Sequence, residues 1–251
     1  MHWLWRASLD LLFPPRCLVC RQFGPEVICE GCFGRVHPIQ QPKCHVCGLP
    51  FDPLAKVEEL CADCRAHNWP FVMGRAYGYY EGALREAICR LKYDYKRPLG
   101  PILGGLLVSC FEPAKENGAP PLPADSIDAI CPVPLHHVRL YQRGFNQSEA
   151  LARAVGESLG KPVEGLLART RMTEPQVGLP HNKRRENVRG AFAIAPGVEA
   201  ASLRGRRVLV LDDVWTTGET LRECARVLNR AGAQVYLLAL ARAISRPTSE
   251  A

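Results

Sequence analysis

The chain has little that would place it in a membrane or in secretion. Its longest mostly apolar stretch, Pro98 to Cys110, is interrupted by glycine and falls well short of the roughly 18 to 20 apolar residues of a spanning helix. The opening, His2 to Phe13, carries Arg6 and Asp10 inside its apolar part. It lacks a basic leading region and meets Pro14-Pro15 where a signal peptide would offer small residues. With Trp5, Leu9 and Leu12 at helical spacing, this segment predicts a short amphipathic helix, packed on the body or lying at a membrane interface. The expected location is cytoplasmic, with peripheral membrane association through that helix as the alternative. Also missing are the Gly-Lys-Ser/Thr of a Walker loop and the GxGxxG of a dinucleotide site. Apart from its cysteine pairs the chain has no internal repeat.

What is present is a globular composition, 47% hydrophobic and 23% charged over 251 residues. That excludes a disordered or collagen-like chain and suits one or two domains. Charge is uneven. Residues 1–70 hold seven Lys/Arg and seven Asp/Glu, so the net +7 belongs wholly to residues 71–251. A modest basic excess suits a phosphorylated substrate or nucleic acid, and bears on partners instead of fold.

Eight of the 12 cysteines form four CxxC units: Cys17/Cys20, Cys29/Cys32, Cys44/Cys47 and Cys61/Cys64. One such turn converges two thiolates on an ion, and two turns complete the closed tetrahedral four-cysteine site of structural zinc. Four units predict two zinc ions. The simplest pairing joins 17/20 with 29/32 and 44/47 with 61/64, with a cross-brace as the alternative. The competing reading, a disulfide scaffold, needs the secretory context that the opening does not supply. So small a segment cannot fold on apolar burial, and metal binding would provide its folding energy. Cys89, Cys110, Cys131 and Cys224 lack pair spacing and read as core thiols.

Beyond residue 70 the pattern is helical, then alternating. Leu84, Ile88 and Leu91 predict one helix and Pro101 to Cys110 a second, followed by a Pro-rich link over 112–125. Strands are predicted at Ala129–Val133, Arg207–Leu211 and Gln234–Ala241, and helices at Gln147–Gly160 and Glu219–Arg230. Strands alternating with helices predict a parallel α/β sheet.

The most specific segment is Val208 to Leu211, Asp212, Asp213, Val214, Trp215, Thr216, Thr217, Gly218, Glu219, Thr220. A buried strand delivers two carboxylates to the carboxyl edge of the sheet, and a hydroxyl- and glycine-rich turn opens the next helix. Backbone N–H groups of 216–220 can hold a phosphate. The acids must instead meet hydroxyls or a cation, which describes a phosphorylated ribose with Mg²⁺. Trp215 reads two ways, as a stacking platform for a base or as closure of the core.

This segment resembles the phosphoribosyl pyrophosphate (PRPP) motif of type I phosphoribosyltransferases. Arg143-Gly-Phe-Asn-Gln147, Gln176 with Arg184 to Phe192, and the eight cysteines together resemble the ComF family over nearly the whole chain. The resemblance implies an α/β fold: a type I phosphoribosyltransferase-like parallel sheet flanked by helices over 71–251, preceded by an N-terminal helix and a small double zinc ribbon over 1–68. It implies a PRPP-binding phosphoribosyltransferase linked to DNA uptake in natural transformation; a non-enzymatic single-stranded DNA-binding or adaptor protein is the alternative. Asp212 and Asp213 would meet ribose hydroxyls and the shell of Mg²⁺, Thr216 to Thr220 the 5′-phosphate, and Val214 and Trp215 would complete the PRPP-binding segment. Arg139 and Arg143, in the region of the pyrophosphate loop, would meet the diphosphate. Arg184 is singled out by the family motif within the basic run Lys183 to Arg189. Expected partners are PRPP or a related phosphorylated ribose, single-stranded DNA and other competence proteins. One departure matters: where hypoxanthine-type relatives carry a proton-exchanging Asp this chain has Thr216, which argues against purine salvage of that kind. Nothing in the sequence identifies a hood that reads a base.

Overall fold

The computed structural model describes residues 14–52, 54, 58–113, 118–173 and 186–246. The amphipathic segment before residue 14 and the run containing Gln176, Lys183, Arg184 and Arg185 lie outside the described residues.

The first ribbon closes around a one-turn helix α1 (Glu30–Phe33) and the second around α2 (Ala62–Ala66). Strand β1 (Met73–Tyr79) follows, then α3 (Gly82–Tyr93) and α4 (Leu99–Leu107). After the link come β2 (Ala129–Pro132), α5 (His137–Arg143) and α6 (Gln147–Leu159). A small antiparallel pair, β3 (Leu167–Arg169) and β4 (Phe192–Ile194), precedes β5 (Arg207–Trp215), α7 (Glu219–Arg230) and β6 (Gln234–Arg242). The main sheet has the order β1-β6-β5-β2 and is parallel throughout.

The central strands are buried on both faces, the usual state of a parallel sheet covered by helices. Alternate residues of β5 feed two cores. Val208 and Val210 face α7, where Leu221, Cys224, Ala225 and Leu228 recur at i, i+3, i+4 and i+7. Leu209 and Leu211 face Leu84, Ile88 and Leu91 of α3, Leu103 of α4 and Leu151 and Val155 of α6. The ribbons divide between these layers. Cys17, Val19, Ile28 and Cys32 pack in the α3 layer, and Cys44, Cys47 and Cys61 in the layer of α7. Both cores therefore run across the sequence boundary at residues 68–71.

The predicted helices and strands have the expected type, with shifted ends. The Arg207 strand runs on through Asp212 and Asp213 to Trp215, because Val214 and Trp215 keep pairing with Ala241 and Arg242 of β6. Strand β1 is absent from the sequence-based reading. It contains Gly74, Arg75 and Gly78, residues that weaken a strand signal. Gly74 is needed because a Cβ there would lie 2.7 Å from the Trp215 ring. Of the four unpaired cysteines, Cys131 and Cys224 are fully buried core thiols, whereas Cys89 and Cys110 are only partly covered.

Candidate functional site

At the carboxyl edge of β5 and β2 lies a cleft of about 470 Å³, bounded by the end of α3, by α5 and by the start of α6. Parallel strand ends of this kind are where α/β folds bind ligands. Asp212 and Asp213 leave β5 at its floor. The Asp212 Oδ1 accepts from Ser148 Oγ and from the Asp213 N–H, both at 2.9 Å. Ser148 is held there because α6 starts at Asn146, whose side chain accepts the Ser148 N–H at 3.1 Å and donates to the Val133 carbonyl at 3.0 Å. Burial, then the adjacent Asp213 charge, raise the Asp212 carboxyl to about 7, against the opposing pull of Lys92 and the two hydrogen bonds. The Asp213 Oδ1 is paired with Lys92 Nζ at 2.8 Å, and its Oδ2 is buried without a hydrogen-bond partner. Burial works to lower the Lys92 ammonium, but the Asp213 and Asp212 charges outweigh it and hold it above its ordinary value.

The opposite wall is cationic. His136 starts α5 by accepting the Val138 N–H at 3.4 Å, so Arg139 and Arg143 stand one turn apart on a helix where the sequence suggests a loop. Arg143 donates to Gln147 Oε1 at 3.1 Å and lies 5.2 Å above the Tyr93 ring. Arg139 donates to the Thr173 carbonyl at 2.6 Å. Arg169, from β3, bonds the Thr173 hydroxyl and leaves its Nε buried and unpartnered. Burial first, and the Arg143 charge second, press Arg139 below the usual guanidinium value; burial and Arg139 do the same to Arg169. Crowded, partly desolvated cations of this kind favour an anion beside them.

Of the residues predicted from sequence, Asp212, Asp213, Val214, Thr216, Thr220, Arg139 and Arg143 line one cleft. Trp215 does not: its side chain is 1% exposed and stands edge-on to Phe71, so its ring closes the core and is not available to stack on a base. Glu219 is also buried, paired with Arg222 at 2.9 Å and Arg226 at 3.9 Å. Gly218 takes φ 83° as it opens α7, and a Cβ there would collide with Trp215 Nε1. Beside it, Thr217 Oγ1 is buried without a partner. Sequence reasoning missed Lys92 and Arg169. Lys92 precedes Tyr93 at a helix end that looks like ordinary amphipathic patterning, and no local signal marks it.

The cysteines fall into the groups 17/20/29/32 and 44/47/61/64, the sulfurs of each lying within 4.8 Å of one another. This is the simple pairing and not the cross-brace. A tetrahedral zinc with Zn–S bonds of about 2.3 Å holds its sulfurs about 3.8 Å apart; Cys17–Cys32, Cys20–Cys29 and Cys47–Cys61 stand at 3.8, 3.6 and 3.7 Å. Backbone N–H groups of Val19 and Cys29 donate to the Cys17 sulfur, and that of Cys61 to the Cys44 sulfur, each at 3.4 Å. The donor sets fit two zinc ions.

A family model described as a double zinc ribbon domain matches residues 8–65, and one described as a phosphoribosyl transferase domain matches residues 147–250. Over 233 residues the chain is 31% identical to Competence protein F of Haemophilus influenzae, covering 91% of this chain and 97% of that one. The chain belongs to the ComF family. It is also 31% identical to the DNA utilization protein YhgH of Escherichia coli K12, over 91% of this chain and 98% of that one. To Competence protein ComFC of Bacillus subtilis it is 25% identical, over 91% and 84%. Among solved structures it is similar to a glutamine PRPP amidotransferase from B. subtilis, at 25% identity and a TM-score of 0.34, spanning 56% of this chain and a quarter (25%) of that one. No helix among the described residues is long and apolar enough to cross a membrane.

Proposed function

We propose that this ComF-family chain binds PRPP in the cleft at the β5 edge and acts as a phosphoribosyltransferase that serves DNA uptake, a reading supported by relatives named for competence and for DNA utilization. The observation that carries the reading is the union in one cleft of a carboxylate pair with a cationic wall, Asp212 and Asp213 facing Arg139 and Arg143. Asp212 and Asp213 accept from ribose hydroxyls. The turn at 216–220, with the orphaned Thr217 hydroxyl and the start of the 12-residue helix α7, takes the 5′-phosphate. Arg139, Arg143 and Arg169 bind the pyrophosphate as its bond to the ribose C1 breaks and charge gathers on the leaving oxygens. The orphaned Asp213 Oδ2 fits Mg²⁺ arriving with the substrate, which would neutralise diphosphate charge. By resemblance Arg184 joins this set. Residues 71–251 are then the phosphoribosyltransferase-like part, and the ribbons a structural part that packs into its two cores.

The test is calorimetry. Saturable, Mg²⁺-assisted PRPP binding is expected, and Asp212→Ala with Asp213→Ala should abolish it; equal affinity in the double variant overturns the assignment. A second reading, single-stranded DNA binding, is favoured by aromatic side chains exposed beside cations. Tyr141, Tyr93 and Tyr95 are 91%, 58% and 55% exposed; Arg143 lies over the Tyr93 ring, and Arg97 lines one surface hollow with Tyr141. Bases can stack on such rings. Binding of a DNA oligomer should then fall steeply with salt and should weaken in Tyr141→Ala.

A further inference from the structure

The proposed chemistry makes no use of the second four-cysteine site, yet that site is wired into the sheet. Every carbonyl of its first knuckle from His45 to Cys47 is taken by the strands. Arg75 Nη2 donates to His45 O at 2.9 Å, the Gly74 N–H to Val46 O at 2.7 Å, and Arg242 Nη1 to Cys47 O at 2.5 Å. The Arg242 Nη2 also stands 3.8 Å from the Cys47 sulfur. Arg242 ends β6, is 7% exposed, and pairs in register with Trp215. Its guanidinium lies 4.7 Å above the indole ring, and the Ala243 N–H donates to the Trp215 carbonyl at 2.9 Å. The indole also abuts Gly218, where no Cβ would fit. A continuous run of contacts therefore leads from a metal-ligand sulfur to the turn that opens α7.

The first four-cysteine site has no such connection among the described residues. It packs in the other layer, and the guanidinium on its sulfur, Arg35 to Cys32 at 3.3 Å, belongs to its own ribbon.

We propose that Arg242 is a positioning residue that joins the second four-cysteine site to the phosphate turn through Trp215, so that a metal in that site sets the geometry of residues 215–220. A zinc-bound thiolate and its fixed carbonyl hold the guanidinium, as outer partners of metal ligands commonly do. The guanidinium in turn fixes the height of the indole, and the indole limits where Gly218 can sit. The consequence for affinity rests on the PRPP reading; the mechanical link does not.

The test uses the full zinc-loaded chain, with Arg242→Met, Arg242→Lys and Trp215→Phe. Amide hydrogen exchange is followed at 215–220 and, as an internal reference, at 208–211 in the middle of β5. Arg242→Met should exchange about tenfold faster at 215–220 with 208–211 unchanged, and PRPP should bind about tenfold more weakly, within the range of ordinary coupling between sites. Arg242→Lys should fall between, since a lysine keeps charge without the planar fork. Trp215→Phe should loosen 215–220 while the chain retains its zinc, which serves if Arg242→Met folds poorly. Exchange at 215–220 equal to the parent chain, or rising only in step with 208–211, overturns the proposal. If the parent chain gives no heat with PRPP, the functional reading fails while the exchange data still decide the link.

Discussion

Lys92 Nζ and Asp213 Oδ1 stand 2.8 Å apart, joining the last turn of α3 to the end of β5 in a pair whose side chains are 15% and 5% exposed. Neither residue is predicted from sequence to meet the other, and they close the floor of the cleft from opposite elements. Breaking a buried pair by removing one partner strands the other charge, at a cost of about 3 to 5 kcal/mol. Lys92→Met should therefore lower stability by an amount of that order, read from denaturant unfolding of the metal-loaded chain. Lys92→Arg, which keeps the charge, should lose much less.

Asp212 supplies a pH signature. Its carboxyl is raised in the folded chain to about 7, from an ordinary value of 3.8, so the folded state binds the extra proton between these two values. The stability this provides is fully present below about pH 4 and is lost as pH rises through about 7. Asp212→Asn cannot ionise. The unfolding free energy of the zinc-loaded variant relative to the parent chain should climb between about pH 4 and pH 7 and level off above, in Mg²⁺-free buffer without PRPP, and a flat difference would contradict the assignment.

Gly218 combines φ 83° with direct contact to Trp215. Gly218→Ala should cost about 1 to 3 kcal/mol in backbone strain and displaced packing. It should also weaken PRPP binding more than Gly105→Ala, because a Cβ at Gly105 meets open space. Calorimetry on the two variants side by side makes the comparison.

Elemental analysis of the folded, reduced chain should give two zinc per molecule, one for each four-cysteine cluster. Stripping by a strong chelator should unfold the ribbons, since metal binding supplies their folding energy. Circular dichroism during chelation would report it, and a chain that keeps both its structure and a zinc content near zero would refute the assignment of the eight cysteines as ligands.

What is legible without the fold follows from how local each signal is. CxxC spacing, the apolar run into Asp212 and Asp213, and the Thr/Gly turn are contiguous in sequence, and their chemistry can be read from short windows. Arg139 and Arg143 are legible too, although their helix is not, because charge is visible in a sequence while a helix of 7 residues barely departs from a loop pattern.

The four CxxC units, the parallel α/β alternation and the carboxylate-and-turn segment can all be read along the chain, because each depends on sequence neighbours. What lies across from them came from the packing of the folded chain. It set Lys92 on Asp213, brought Arg169 into the cleft with Asp212, sent the Trp215 ring into the core, and placed the two ribbons in opposite layers. Those outcomes depend on packing between elements far apart in the chain, where burial and shape select the partner and no local pattern records the choice.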